Sequence, residues 1–269
     1  MSELLLHRYR IPVKHVKRKT ICQFSDTHLT CWDAQSTEEE KQSACKRTED
    51  WERGRLSFAK AFAEPWEGDA YLSAEAYFCS LLQCSKEADA LIMAGDIIDF
   101  HTEGNSRFLH TALQDYPAPY MAVCGNHDEP DRLPEGHPMK AAGQPVQTLD
   151  LGDMVIFGLN NSGRIITREQ LKMLKNTLQA PKPVLIAMHI PVLTEGTAPQ
   201  DDYFHINYDG CPRENLEFIQ IIQAHAQQII GVMCGHLHGL QVSQIAPGVR
   251  QYVSSQGLMG NLSVYDIGE

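Results

Sequence analysis

The chain has 269 residues, 43% of them hydrophobic, with a net charge of −11 from 23 basic and 34 acidic side chains. That length suits one large α/β domain, and the acidic balance excludes holding long nucleic acid by general charge attraction. No apolar run is long enough to span a bilayer and none resembles an export signal, so a cytoplasmic protein with no membrane partner is expected. The eight cysteines have no paired spacing, which fits a reduced compartment and excludes a cysteine zinc site; Cys22, Cys124 and Cys234 lie inside apolar runs, as small hydrophobes.

In chain order, the basic stretch HRYRIPVKHVKRK near the start reads as a solvated edge strand, because Lys and Arg discourage edge-to-edge pairing. KTICQFSD (19–26) reads as the first buried strand. Residues 31–70 break the rhythm: they are charge-rich yet carry Trp32, Trp51, Phe58, Phe62 and Trp66, and they are too long for a bare loop. A cap insertion with a helix near 48–63 is expected. SAEAYFCSLLQC follows with Ser73 as N-cap and Ala74, Tyr77, Phe78, Leu81 and Leu82 on one helical face. Buried strands are then read at 90–96, 120–126, 153–161, 183–189 and 228–236.

Between them, TREQLKMLKNTL opens with Thr167 and Gln170 in capping-box spacing and lines up Leu171, Leu174 and Leu178. RENLEFIQIIQAHAQ carries Leu216, Ile219 and Ile222, with Phe218 and Ile221 beside them. Past residue 239 the pattern alternates as antiparallel strands with a Pro-Gly turn. The whole implies a single α/β domain over 1–269, a sandwich of two sheets with helices outside.

Nearly every predicted strand ends in residues that bind metals. The endings are Asp26 and His28; Asp96 and Asp99; Asn126, His127 and Asp128; His189; and His236 with His238. Side chains two apart on an extended backbone share a side, so Asp26 with His28 and His236 with His238 are expected to converge. Strand carboxyl ends are where open α/β sheets place ligands. Gly95, Gly125 and Gly235 precede these residues and allow close backbone approach. Five such motifs without a cation would leave several histidines and carboxylates buried without partners, which is costly. Asp128 reads as a backbone-capping carboxylate, and His101, His110, His137 and His225, which belong to no motif, read as surface histidines.

The order DxH, GDxxD, GNHD, a single His and GHxH over residues 20–240 resembles the calcineurin-like metallophosphoesterase family. The resemblance implies a four-layer αββα sandwich of mixed sheets with antiparallel C-terminal strands and a helical cap insertion at 31–70. It implies two metal ions, Mn, Fe or Zn. Asp26, His28, Asp96 and His238 would hold one, with Asp96 bridging to a second completed by Asn126, His189 and His236. It gives His127 a place beside the substrate phosphate, oriented by Asp99. The expected reaction is hydrolysis of a small soluble phosphodiester by in-line attack of a metal-bridging hydroxide; the alternatives are a phosphomonoesterase on a small molecule or phosphoprotein, and a non-catalytic scaffold. GDIIDF and GNHD differ from the GDxVDRG and GNHE of the Ser/Thr protein phosphatases. Asp99 stands where purple acid phosphatases have Tyr and the double-strand-break nucleases His, and His127 where lipid A precursor hydrolases have Arg. The pattern is nearest the class III cyclic-nucleotide phosphodiesterase and glycerophosphodiesterase branch, from which Asn160 and Asn161 depart by replacing an Asp-Ser pair. Tyr203, Phe204 and His205, in the segment 194–212, and the tryptophans of 31–70 are candidates for lining the substrate pocket, against the alternative that they pack a cap onto the body.

Overall fold

The computed structural model describes residues 4–61 and 72–269. Two sheets form its centre. One has five strands in the order β1 (Leu5–Ile11), β11 (Asn261–Ile267), β2 (Lys19–Phe24), β3 (Ala90–Met93), β4 (Tyr120–Ala122). The other has six, in the order β5 (Val146–Asp150), β6 (Val155–Leu159), β7 (Val184–Met188), β8 (Ile229–Cys234), β10 (Val249–Val253), β9 (Gln241–Ala246). Helices α1 (Glu38–Ala61), α2 (Ala74–Ser85), α3 (Glu103–Leu113), α4 (Arg168–Thr177) and α5 (Arg213–Ala224) complete the chain.

The period of two along each strand creates the layers. Ile21, Ile92 and Met121 of the first sheet pack with Ile156, Leu185 and Met233 of the second. Their neighbours Cys22, Leu91 and Met93 turn outward onto Phe78 and Leu81 of α2 and Leu109 of α3. Val184, Ile186 and Met188 turn the opposite way onto Leu171, Leu174 and Phe218 of α4 and α5. Strands apolar on both faces are thereby buried on both, giving the expected four-layer αββα sandwich.

Local signals in the sequence set the helix starts. Ser73 Oγ accepts from the Ala76 N–H at 3.2 Å. The Thr167 capping box closes in both directions, at 3.2 and 2.8 Å. Each cap stabilises its helix by about 1 kcal/mol. On α5, Phe218, Ile221 and Ile222 are buried, while Leu216 is exposed. The basic N-terminal stretch is an edge strand with Arg8 and Arg10 exposed. The C-terminal strands divide between the sheets: β9 and β10 pair antiparallel, but β10 joins β8 in parallel, and β11 crosses to the first sheet, antiparallel to β2.

Three elements depart from the sequence reading. Helix α1 begins ten residues before the expected 48, β5 carries little apolar pattern and was not expected, and α3 is interrupted in pattern by its polar Asn105 and Ser106. Phe62 and Trp66 of the expected cap, and the Phe58 side chain, lie outside the described residues. His137 is buried rather than on the surface, and the His101 side chain is only 5% exposed. Among the described residues no helix is long and apolar enough to cross a membrane.

Candidate metal centre

Strands β2, β3 and β4 run parallel, as do β7 and β8, so the segments that follow them leave the sandwich at one end. The loops after β2 and β3 are tied together: Asp26 N donates to Gly95 O at 2.9 Å, His28 N to Asp96 O at 3.1 Å and Leu29 N to Ile97 O at 2.9 Å. The paired residues do not converge by strand alternation. Asp26, His28, Asp96, His236 and His238 all have positive φ, between 42° and 74°. Each sits in a left-handed turn just past its strand, a conformation that costs a non-glycine residue about 1 kcal/mol or more. Five such turns around one point concentrate strain where the side chains must meet. Glycine makes room: a Cβ on Gly125 would overlap Asp96 Oδ1, and one on Gly95 (φ 87°) would lie 2.5 Å from His189 Nδ1.

The side chains form two adjoining groups. Asp26, His28 and His238 bring donor atoms within 4.8 Å of one another, and so do Asp96, His189 and His236. His28 Nε2 lies 3.1 Å from His238 Nε2, which is 3.3 Å from Asp26 Oδ1. Asp96 Oδ2 lies between the groups, 3.2 Å from His189 Nε2 and 3.9 Å from His28 Nε2. Asn126 Oδ1 is 3.2 Å from His189 Nε2. All seven residues expected as metal ligands are thus brought together.

His189 tests whether a cation fits. Its Nδ1 donates to Ala94 O at 2.7 Å, which fixes the tautomer and leaves a lone pair on Nε2. That lone pair faces two further acceptors, Asp96 Oδ2 and Asn126 Oδ1. Burial pushes the imidazole pKa down, but Asp96 more than offsets this and raises it to about 9. Asp96 is buried too, yet the neighbouring His189 and His28 hold its carboxyl well below the usual range. Three acceptors aimed at one point need a positive charge there, a proton or a metal. Burial lowers the His236 pKa to about 3, so a neutral imidazole, the form that ligates metals, is the stable one there.

Asp99 is a hub, and its carboxylate with His28 and His127 forms a third group of donor atoms within 4.8 Å of one another. Its buried carboxylate accepts from Arg47 Nε at 2.5 Å and Nη2 at 3.0 Å, and from Trp51 Nε1 at 3.0 Å. His28 Nδ1 faces it at 3.3 Å. His127 Nδ1 donates to the Asp99 backbone carbonyl at 3.0 Å and is 3.4 Å from its carboxylate, so Asp99 reaches His127 mainly through the main chain. Asp128 caps backbone as expected, accepting from Ile97 N, Ile98 N and Gly125 N. Burial, with the charge of Asp96 beside it, raises its carboxyl pKa to about 6.

Arg47 and Arg164 carry no motif and were not legible as site residues, whereas Trp51, Tyr203 and Phe204 were candidates for lining the pocket. Trp51 stacks on His28 with ring centroids 4.1 Å apart, and with Trp32 it lines a cavity of about 350 Å³ beside His28. Trp32 is 50% exposed. Asn161 Oδ1 accepts from His189 N and Ile190 N at 3.0 and 3.1 Å, so one member of the Asn pair fixes the backbone of His189. Its place at a strand end was the available signal. Tyr203, Phe204 and Arg164 line a cavity of about 330 Å³ together with Asp96, Asn126, His127, His236 and His238. His205 is buried behind that wall.

The model of the calcineurin-like phosphoesterase family matches residues 19–240, which span every strand-end motif described above. The chain belongs to this family. A probable cyclic nucleotide phosphodiesterase of Synechococcus sp. is 29% identical over 171 residues, covering 61% of this chain and 63% of the relative. A second protein so described, from Fibrobacter succinogenes, is 22% identical over 164 residues, 60% of this chain and 61% of its own. The chain thus spans little more than three fifths of these curated relatives. Among solved structures, a dimetal phosphatase from Danio rerio superposes with a TM-score of 0.59 at 12% identity over 90% of this chain and 88% of that one, a likeness of fold. The calcineurin-like phosphoesterase fold expected from the motif order is therefore the one observed.

Proposed function

We propose that this calcineurin-like phosphoesterase is a dinuclear metal-dependent hydrolase of a small soluble phosphodiester. The observation that carries the reading is the placement of Asp96 between two groups of buried donors, one with Asp26, His28 and His238, the other with His189, His236 and Asn126. A carboxylate so placed is suited to bridging two cations. Carboxylate, amide and imidazole together suit manganese, iron or zinc. When bound, such a pair neutralises phosphoryl oxygens and supplies a hydroxide at neutral pH.

The chain's own residues do the rest. Ala94 O holds His189 in the tautomer that leaves Nε2 free for a ligand role, and the Asp99 carboxylate lies 3.3 Å from His28 Nδ1. His127, with Nδ1 committed to Asp99 O, keeps Nε2 for the substrate; in its protonated form it donates to the leaving or a phosphoryl oxygen. The left-handed turns keep the donors fixed before substrate arrives. The description of the Synechococcus relative as a probable cyclic nucleotide phosphodiesterase supports the diester over a monoester substrate.

The test is metal analysis of the manganese-reconstituted protein together with turnover of bis(p-nitrophenyl) phosphate and p-nitrophenyl phosphate. Two ions per chain and faster diester turnover are expected. Faster monoester turnover would overturn the diester assignment, and a protein retaining no metal would overturn the hydrolase.

A further inference from the structure

Arg164 has no part in the chemistry above, yet the fold fixes it with unusual care. It is a non-glycine residue at φ 61° in the segment after β6. Its own N–H bonds Asn161 O at 2.8 Å, and its carbonyl accepts from the buried Asn215 Nδ2 at 2.7 Å. Its guanidinium donates from Nε to His205 O at 3.2 Å and from Nη2 to Asp202 O at 3.0 Å. One face lies over the Tyr208 ring, 4.0 Å from its centroid, and Tyr203 is 5.0 Å away. No carboxylate pairs with Arg164 among the described residues, in contrast to Arg47, Arg107 and Arg168. A strained backbone, two carbonyls and two aromatic rings thus hold an uncompensated cation on the wall of the metal-centre cavity.

Charge counting shows what such a cation is for. Arg47 already answers Asp99, so Asp26 and Asp96 are the carboxylates facing two divalent cations. An attacking hydroxide and the single negative charge of a phosphodiester complete that balance. Asp128, spent on three backbone N–H groups, stands outside this balance, and Arg164 is a cation on the cavity wall with no carboxylate partner of its own among the described residues. The cavity, about 330 Å³, is of the size that holds a whole small ligand rather than a lone phosphoryl group.

We infer that Arg164 is a specificity-determining residue that binds a second anionic group on the substrate, separate from the scissile phosphoryl. The inference rests on the proposed phosphodiesterase reading. The substrate class it selects is a phosphoester carrying a further phosphate or carboxylate. The guanidinium is pre-oriented, so little freedom is lost when it receives that group in a charge-assisted hydrogen bond.

The probes are adenosine 5′-monophosphate, adenosine 5′-diphosphate and the 2′,5′- and 3′,5′-bisphosphates of adenosine, titrated calorimetrically into the manganese-loaded protein. The expected result is that a doubly phosphorylated probe binds about tenfold or more tightly than the monophosphate. Arg164→Gly, which suits the positive φ and so does not strain the fold, should abolish that gain, and Arg164→Lys should restore part of it. Metal content and the thermal midpoint of each variant check that the centre and fold survive. A wild type that binds every probe alike, or a gain that persists in Arg164→Gly, would overturn the inference. Wild-type turnover of bis(p-nitrophenyl) phosphate reports on the phosphodiesterase itself: its absence would remove that activity while the titrations still decide what Arg164 binds.

Discussion

The sandwich body and helix α1 approach the same cluster by different means. In the body, Asp26, Asp96 and His189 are fixed by the main chain: His236 N bonds Asp26, His127 N bonds Asp96 Oδ1 at 2.8 Å, and Ala94 O holds His189. From α1, Arg47 and Trp51 reach in only through long side chains, and both end on Asp99. Main-chain anchors cannot be removed without refolding a strand end, whereas side-chain anchors can be altered singly. The body is therefore suited to holding cations, and the insertion to adjusting residues already held.

The sharpest way to break that comparison is Asp96→Asn. The amide keeps the volume but loses the charge placed between both donor groups. Metal content should fall below one ion per chain, and turnover by about 10³-fold or more. Loss of just one ion, with the other bound at full affinity, would show that Asp96 does not serve both groups. His127→Ala comes next. Its side chain is 34% exposed and its imidazole is outside the seven expected ligands, so both ions should remain while turnover falls by about 10²–10⁴-fold. Unchanged activity would remove the proton-donating role.

Arg47→Ala sharpens the contrast from the other side. Asp99 would keep His28 and Trp51 but lose its bidentate partner. Metal content should persist and turnover should drop by about 10- to 100-fold, the range for partners that orient a ligand. Because Arg47 is 40% exposed but Asp99 only 1%, the stability loss should exceed the surface range and reach about 1–3 kcal/mol. Arg47→Lys restores charge without the planar fork and should recover part of the rate. If Arg47→Ala stripped both metals, α1 would belong to the holding machinery and the division between the two regions would fail.

The same division governs what the sequence could reveal. Strand-end residues such as Asp26 and His238 were legible because a short apolar run followed by one to three metal-type ligands, repeated at five strand ends, rarely arises by chance. How they converge was not legible: alternation on an extended strand suggested it, but left-handed turns at Asp26, His28 and their counterparts accomplish it, and φ leaves no mark on the residue type. Arg47, and the bond from Trp51 to Asp99, were hidden because the partner lies some fifty residues away and side-chain reach follows no period. His101 and His137 were misplaced for a related reason. Helix α3, where the polar Asn105 bonds backbone carbonyls, gave no apolar pattern to show that His137 bonds its Ser106 carbonyl.

His137 provides the smallest effect, and one that separates main-chain anchoring from the metal centre altogether. Its Nε2 donates to Ser106 O at 2.9 Å, and its Nδ1 accepts from Met139 N at 3.1 Å, so the neutral ring is fully bonded and protonation at Nδ1 would break the second bond. Burial lowers its pKa below the ordinary 6.5, an effect to which His110 and His101 nearby add and which the Ser106 bond only partly opposes. Below pH 6.5 the unfolded chain therefore binds the proton first. The neutral ring's stabilising contribution is complete above that pH and is lost as pH falls toward the depressed folded value. His137→Asn keeps an acceptor for Met139 N but cannot titrate. Denaturant midpoints between pH 7.5 and 5 should fall more steeply for the wild type than for the variant, by less than about 1 kcal/mol over the window. The difference between the two curves is the quantity to read, since His28 and His236 titrate in both. Parallel curves would mean that His137 already carries its proton in the fold, and that main-chain anchoring does not govern its charge.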